Sequence, residues 1–151
     1  MATFTKIADF VEAGMEQEID FITSATISVA LSNTAPSSES PVPTSTGNGI
    51  LANVTQISYT NYSDSLGVDR VLESVTSVES GGTWTFDAAD FTITASGGAI
   101  ATWRYLYIFD QDGTSPTDPL IGVWDHGSAI DLATGETANI NINASGLITI
   151  A

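Results

Sequence analysis

From Ile27 onward, the hydrophobic residues of this chain recur at a period of two. That is the side-chain repeat of a β-strand, whose successive residues face opposite sides. Ile27, Val29 and Leu31 alternate with Thr26, Ser28 and Ala30. Thr102–Phe109 is the strongest case: Trp103, Tyr105, Tyr107 and Phe109 share one face, and Arg104, Leu106 and Ile108 the other. Weaker runs read as strands at Val54–Tyr62, Arg70–Val78, Thr83–Phe86, Phe91–Ala95, Leu120–His126, Ala138–Asn143 and Leu147–Ile150. Ser80-Gly81-Gly82 and Ser96-Gly97-Gly98 supply turns between them. Many short strands separated by turn residues predict an all-β fold, an antiparallel β-sandwich or jelly roll. A chain of 151 residues fits one such domain, spanning 1–151.

Two segments break the pattern. Phe4, Ile7, Ala8, Val11, Met15 and Ile19 recur at steps of three and four, with Asp9, Glu12 and Glu16 outward. This spacing predicts one N-terminal helix over residues 4–19, its apolar stripe packed on the domain or on a neighbour. Gly14 weakens that helix by roughly 1 kcal/mol relative to Ala. Ser32–Gly49 carries Pro36, Pro41 and Pro43 in a run of Ser, Thr, Asn and Gly, and it reads as a long loop with little to bury. Loops of that length are either passive insertions or binding arms.

The charge is lopsided. Lys6, Arg70 and Arg104 are the basic residues, against 18 acidic ones, for a net charge of −15. Affinity for phosphate backbones comes from Lys and Arg, so nucleic acid and anionic membranes are poor partners for such a chain. His126 is the single histidine and cysteine is absent, which removes disulfides, thiolate zinc sites and most nucleophile–base pairs. The start MATFTKIADFVEAG has no continuous apolar run of the kind a secretory signal needs, and no stretch reaches the length of a membrane-spanning helix. The expectation is a non-enzymatic protein that binds other protein, with no catalytic residues and no cofactor.

The candidate sites weigh the same way. Asp110-Gln111-Asp112-Gly113, with Asp118 beyond, opens like a calcium loop, but Ile121 stands where a bidentate Glu is needed and the flanks are strands. A tight turn accounts for it, and no metal site is predicted. Trp84, Trp103 and Trp124 with Tyr105 and Tyr107 could stack sugars; aromatics at period two are more often core. Asp125, His126 and Ser128 cannot converge as a triad from one strand end, because neighbouring side chains diverge. Asp87 and Asp90 could pair as glycosidase carboxylates, but local capping suits them better. Arg104, inside an apolar strand, needs a carboxylate partner, and Arg70 raises the same question.

The ordered blocks FTKIADFVEAG, ISVALSNTAPSS, FDAADFTITASGGAIATWRYLYIFDQDGTSPTDPLIGVWDHGS and LATGETANININASGLITIA resemble a family of small virion structural proteins of tailed bacteriophages. The shared features are the N-terminal helix, the strand leading into Asn-Thr-Ala-Pro, Thr-Ala-Ser-Gly-Gly before an aromatic strand, Pro-Leu-Ile-Gly, and the closing Gly-Leu-x-Thr-Ile. The resemblance is weakest over 37–49 and 68–80. It implies a capsid decoration or cement protein on the virion surface. Its partners would be the major capsid protein and itself, most often as a homotrimer. A tail, neck or head-fibre protein is the neighbouring alternative, and a carbohydrate-binding module the alternative from another class. Exposed tryptophans in a stripe would favour the module, and buried ones a scaffold.

Overall fold

The computed structural model describes residues 3–16, 19–21 and 26–151. They form an all-β structure with one short helix, α1 (Phe10–Met15). Ten strands run in the order β1 (Thr3–Lys6), β2 (Ile27–Ser32), β3 (Tyr62–Asp64), β4 (Thr76–Ser80), β5 (Thr83–Asp87), β6 (Phe91–Ala95), β7 (Trp103–Asp110), β8 (Leu120–Ile130), β9 (Thr137–Ile140) and β10 (Ile148–Ile150). They make three antiparallel sheets: β1-β8-β7-β2, β10-β5-β4 and β3-β6-β9.

The predicted β7 is the centre of the largest sheet. It pairs with β2 through six residues, Ile27↔Asp110 to Ser32↔Tyr105, and on its other side with β8. Tyr105 through Asp110 are all buried, on both faces. One face, with Tyr105 and Val123, borders a groove shared with the loop residues Ala35–Ser37 and Thr44. The other, with Leu106 and Trp124, looks across a groove to β9. β8 carries three more residues than β7 between the pairs Trp103↔Ile130 and Tyr105↔Asp125, a bulge that contains Gly127 at φ 91°. Strand β6 keeps the predicted alternation, with Phe91, Ile93 and Ala95 buried. The turn from Ala133 to Glu136 leads into β9 and is closed twice: Glu136 N–H donates to the Ala133 carbonyl, and Ala133 N–H to the Glu136 carboxylate.

The N-terminal expectation is corrected. Residues 4–19 are not one helix. Phe4 lies in strand β1, opposite Trp124, with the two rings 5.2 Å apart. Ile7 N–H still bonds the Ile121 carbonyl, so extended backbone persists to that point. The helix begins only at Phe10, and its buried residues are Phe10 and Ala13. Ile7 and Ile19 are buried as expected, but Val11 and Met15 of the predicted stripe are exposed. The apolar spacing is shared between a strand and a helix of different register, which a single period of 3.6 averages together.

Two predicted strands also shrink. Val54–Tyr62 is largely irregular: Ile57 N–H bonds the Leu31 carbonyl, and the Tyr59 hydroxyl accepts from Leu31 N–H. Arg70–Val78 cannot run as one strand because Arg70 and Ser74 adopt positive φ, a region uncommon for non-glycine residues. Instead Leu72 N–H bonds the Ile27 carbonyl. Both segments cover the outer edge of β2, where unpaired backbone would otherwise stand open.

The long loop is more tethered than its composition suggests. It contains a 3-10 turn, Pro36–Ser38. The Glu39 carboxylate is buried and accepts from Thr55 N–H and Thr55 Oγ1, both at 2.8 Å. The Asp9 carboxylate, instead of capping α1, accepts from Gly47 N–H and Gly49 N–H at 2.9 and 3.0 Å.

Candidate functional site

Of the residues singled out in the sequence, Trp103, Arg104, Trp124 and His126 line one groove, and the other candidates do not. Arg104 does find its carboxylate. Its Nε and Nη2 donate to the two Asp125 oxygens at 2.6 and 2.8 Å, a fork-on-fork pair at the β8 bulge. Arg104 holds the Asp125 carboxyl below its ordinary range. Arg70 donates to the Val29 carbonyl and lies 4.1 Å above the Tyr59 ring. Both arginines therefore serve the fold.

The Asp110–Gly113 segment is a turn. Buried Asp110 accepts from Asp20 N–H and Asp112 N–H, and Asp112 accepts from Thr26 Oγ1. Burial still raises the Asp110 carboxyl above its ordinary range. Among the described residues, no cluster of three His, Cys, Asp or Glu side chains is placed to hold a metal ion. His126 Nδ1 lies 3.0 Å from the Ser128 carbonyl, within its own strand. Asp87 and Asp90 cap separate amides, those of Ala88 and Ile142.

The tryptophans divide. Trp103 is buried. Trp124 and Trp84 are half-buried and belong to different sheets, so the three form no stripe. Trp124 borders the groove between the large sheet and β9, beside Arg104, Asn139, Asn141 and Ile142.

Trp84 belongs to a surface that keeps several large apolar side chains exposed. On sheet β10-β5-β4, the registers Ile150↔Trp84↔Glu79 and Ile148↔Phe86↔Ser77 put these residues on one face. Phe21 covers its inner part, with its ring 5.0 Å from both Trp84 and Phe86 and 5.8 Å from Phe10. Edge-to-face aromatic contacts of this kind add roughly 0.5–1.5 kcal/mol each to burial. Toward the outer end the packing stops. A groove of about 350 Å³ opens between α1 and the sheet, with Val11, Met15, Trp84 and Ile150 along it. Met15 is 80% exposed, Ile150 49% and Val11 44%. Trp84 Nε1 is satisfied by Ser77 Oγ at 3.0 Å, so its indole offers an apolar face with no polar demand.

Sequence reasoning picked out Val11 and Met15 as apolar but assigned them inward. The signal that could have separated them is the helix start: counted from Phe10, only Phe10 and Ala13 fall on the inner side. The sheet's contribution, Trp84 with Ile150, depends on a pairing across more than sixty residues of chain, which no local pattern reports. No family model, curated protein or solved structure matches the chain.

Proposed function

We propose that this chain is a non-enzymatic structural protein of a tailed-phage virion, a decoration or cement subunit carried on the head shell. The observation that carries the reading is the α1 groove: Val11, Met15, Trp84 and Ile150 hold apolar surface open to solvent on a strongly acidic chain. Contiguous exposed apolar surface marks contact sites in soluble proteins. The ordered resemblance to phage virion proteins supplies the partner, the major capsid protein. Binding there stabilises the shell by mass action, since a ligand of the assembled state opposes its loss. The subunit acts as a homo-oligomer, a trimer at a symmetry axis, through surfaces other than the groove. A tail, neck or head-fibre position would use the same contact chemistry elsewhere in the particle.

Attachment to purified shells tests the reading. Val11→Asp places a charge on an exposed apolar contact and should abolish co-sedimentation while the melting temperature stays close to that of the parent protein. Attachment at the parent level would refute the groove as the contact surface. Light scattering should give a multiple of 15.7 kDa. A protein that is monomeric both alone and on shells would end the ring arrangement.

Glycan binding is the second reading, favoured by half-buried Trp124 in a groove that Asn139 and Asn141 also line. Trp124→Ala would then lose glycan binding and leave shell attachment intact.

A further inference from the structure

We infer that the α1 groove takes an apolar segment flanked by lysine or arginine, contributed by a different protein and not by a second copy of this chain. The inference rests on the groove being the contact surface and adds the chemistry that must lie opposite it. Val11 and Met15 line the groove, and Glu12 and Glu16, the next residues around the helix, line the neighbouring groove on its other side together with Asp9. Both glutamates are exposed and one turn apart, so their charges repel along the helix face. The last turn of α1 holds no basic residue to offset them. A segment that lies on Val11, Met15 and Ile150 and crosses α1 brings its flanking side chains over this carboxylate pair. Cations there relieve the repulsion; further acids add to it.

A second copy is poorly equipped to supply those cations: beyond its two engaged arginines, its one other basic side chain is the exposed Lys6 of β1. It carries the same −15 charge and only three basic residues. Arg104 is held by both oxygens of Asp125, and Arg70 by the Val29 carbonyl and the Tyr59 ring. Two grooves face to face would also oppose their own glutamates. Apolar side chains then anchor the complex, and the charges steer its formation.

The chain has two methionines, so methyl-labelled protein gives one signal for Met15 in the groove and one for Met1. The probes are synthetic peptides of one shared apolar pattern, flanked by Lys, by Ser or by Glu. The Lys peptide should shift the Met15 signal and bind at least about tenfold tighter than the Glu peptide, a difference near 1.4 kcal/mol. Replacing both glutamates, Glu12→Gln with Glu16→Gln, should erase most of that advantage by slowing association. NaCl should slow association of the Lys peptide and leave its dissociation nearly unchanged. Equal binding of all three peptides, no Met15 shift with any, or binding that survives Met15→Asp would overturn the inference. Self-association that Met15→Asp abolishes would overturn it too, by assigning the groove to a second copy. If Val11→Asp protein still attaches to shells, the contact reading has failed. If attachment is lost but peptide binding ignores charge, only the present inference has failed.

Discussion

Half-buried Tyr59 and buried Tyr107 separate a hydroxyl that serves the fold from one that does not. The Tyr59 hydroxyl accepts from Leu31 N–H at 2.9 Å and donates to Gln56 Oε1 at 3.1 Å. The Tyr107 hydroxyl is buried and meets no hydrogen-bond partner among the described residues, and burial pushes its phenol well above the ordinary range. Tyr59→Phe should therefore cost about 1–3 kcal/mol, the penalty for leaving the buried Leu31 N–H unpaired. Tyr107→Phe should be neutral or stabilising, because it removes an unmet polar group at constant shape. Urea unfolding of the two variants checks both; a large loss in Tyr107→Phe would mean the hydroxyl has a partner.

Arg104 has a matching pH signature. Asp125 has a lowered pKa in the folded state, so the pair contributes stability that is fully present above the unfolded carboxyl value and lost as pH falls through the folded one. Asp125→Asn should flatten the stability curve in that acid window and leave its neutral-to-alkaline shape unchanged. The sequence did disclose that Arg104 needed a carboxylate. It could not disclose which, because 18 acids were available and only the β7–β8 register brings Asp125 to it.

Among the elements, strands with a clear period of two in sequence were legible: β6 and β7 stand where that period puts them, although only β6 alternates in burial and β7 is buried on both faces. Elements defined by distant partners were not. β1 is a strand because β8 offers it a site. Gly122 has no side chain, and a Cβ built there would lie 2.3 Å from the Phe4 ring. Gly122→Ala should therefore push Phe4 off the sheet and cost about 1–3 kcal/mol, read as faster amide exchange along Thr3–Lys6. Phe4→Ala should cost less in that background than in the parent protein, since the two share one contact. Full additivity would show that the ring and the glycine do not depend on each other. The long loop was illegible for a related reason. Its anchors, Asp9 and Thr55, lie outside it, and local composition reports only the residues between.

At the level of the whole molecule, charge opposes compaction. A chain at −15 repels itself, and its three bases can offset little of that. Added NaCl screens exposed charges beyond about 10 Å at 0.1 M, so the melting temperature should rise with salt. A fall would mean that ion pairs such as Arg104–Asp125 outweigh the general repulsion. The same molecule leaves one place where chain can be added at little cost. The turn from Ala133 to Glu136 is fastened across its base by two hydrogen bonds and to β6 by Gly135 N–H on the Ala95 carbonyl, which leaves exposed Thr134 at its tip. It feeds β9, in a different sheet from Trp84 and Ile150. A foreign epitope grafted at Thr134 would project outward from a closed stem, so a subunit bound through its groove would display cargo on every copy.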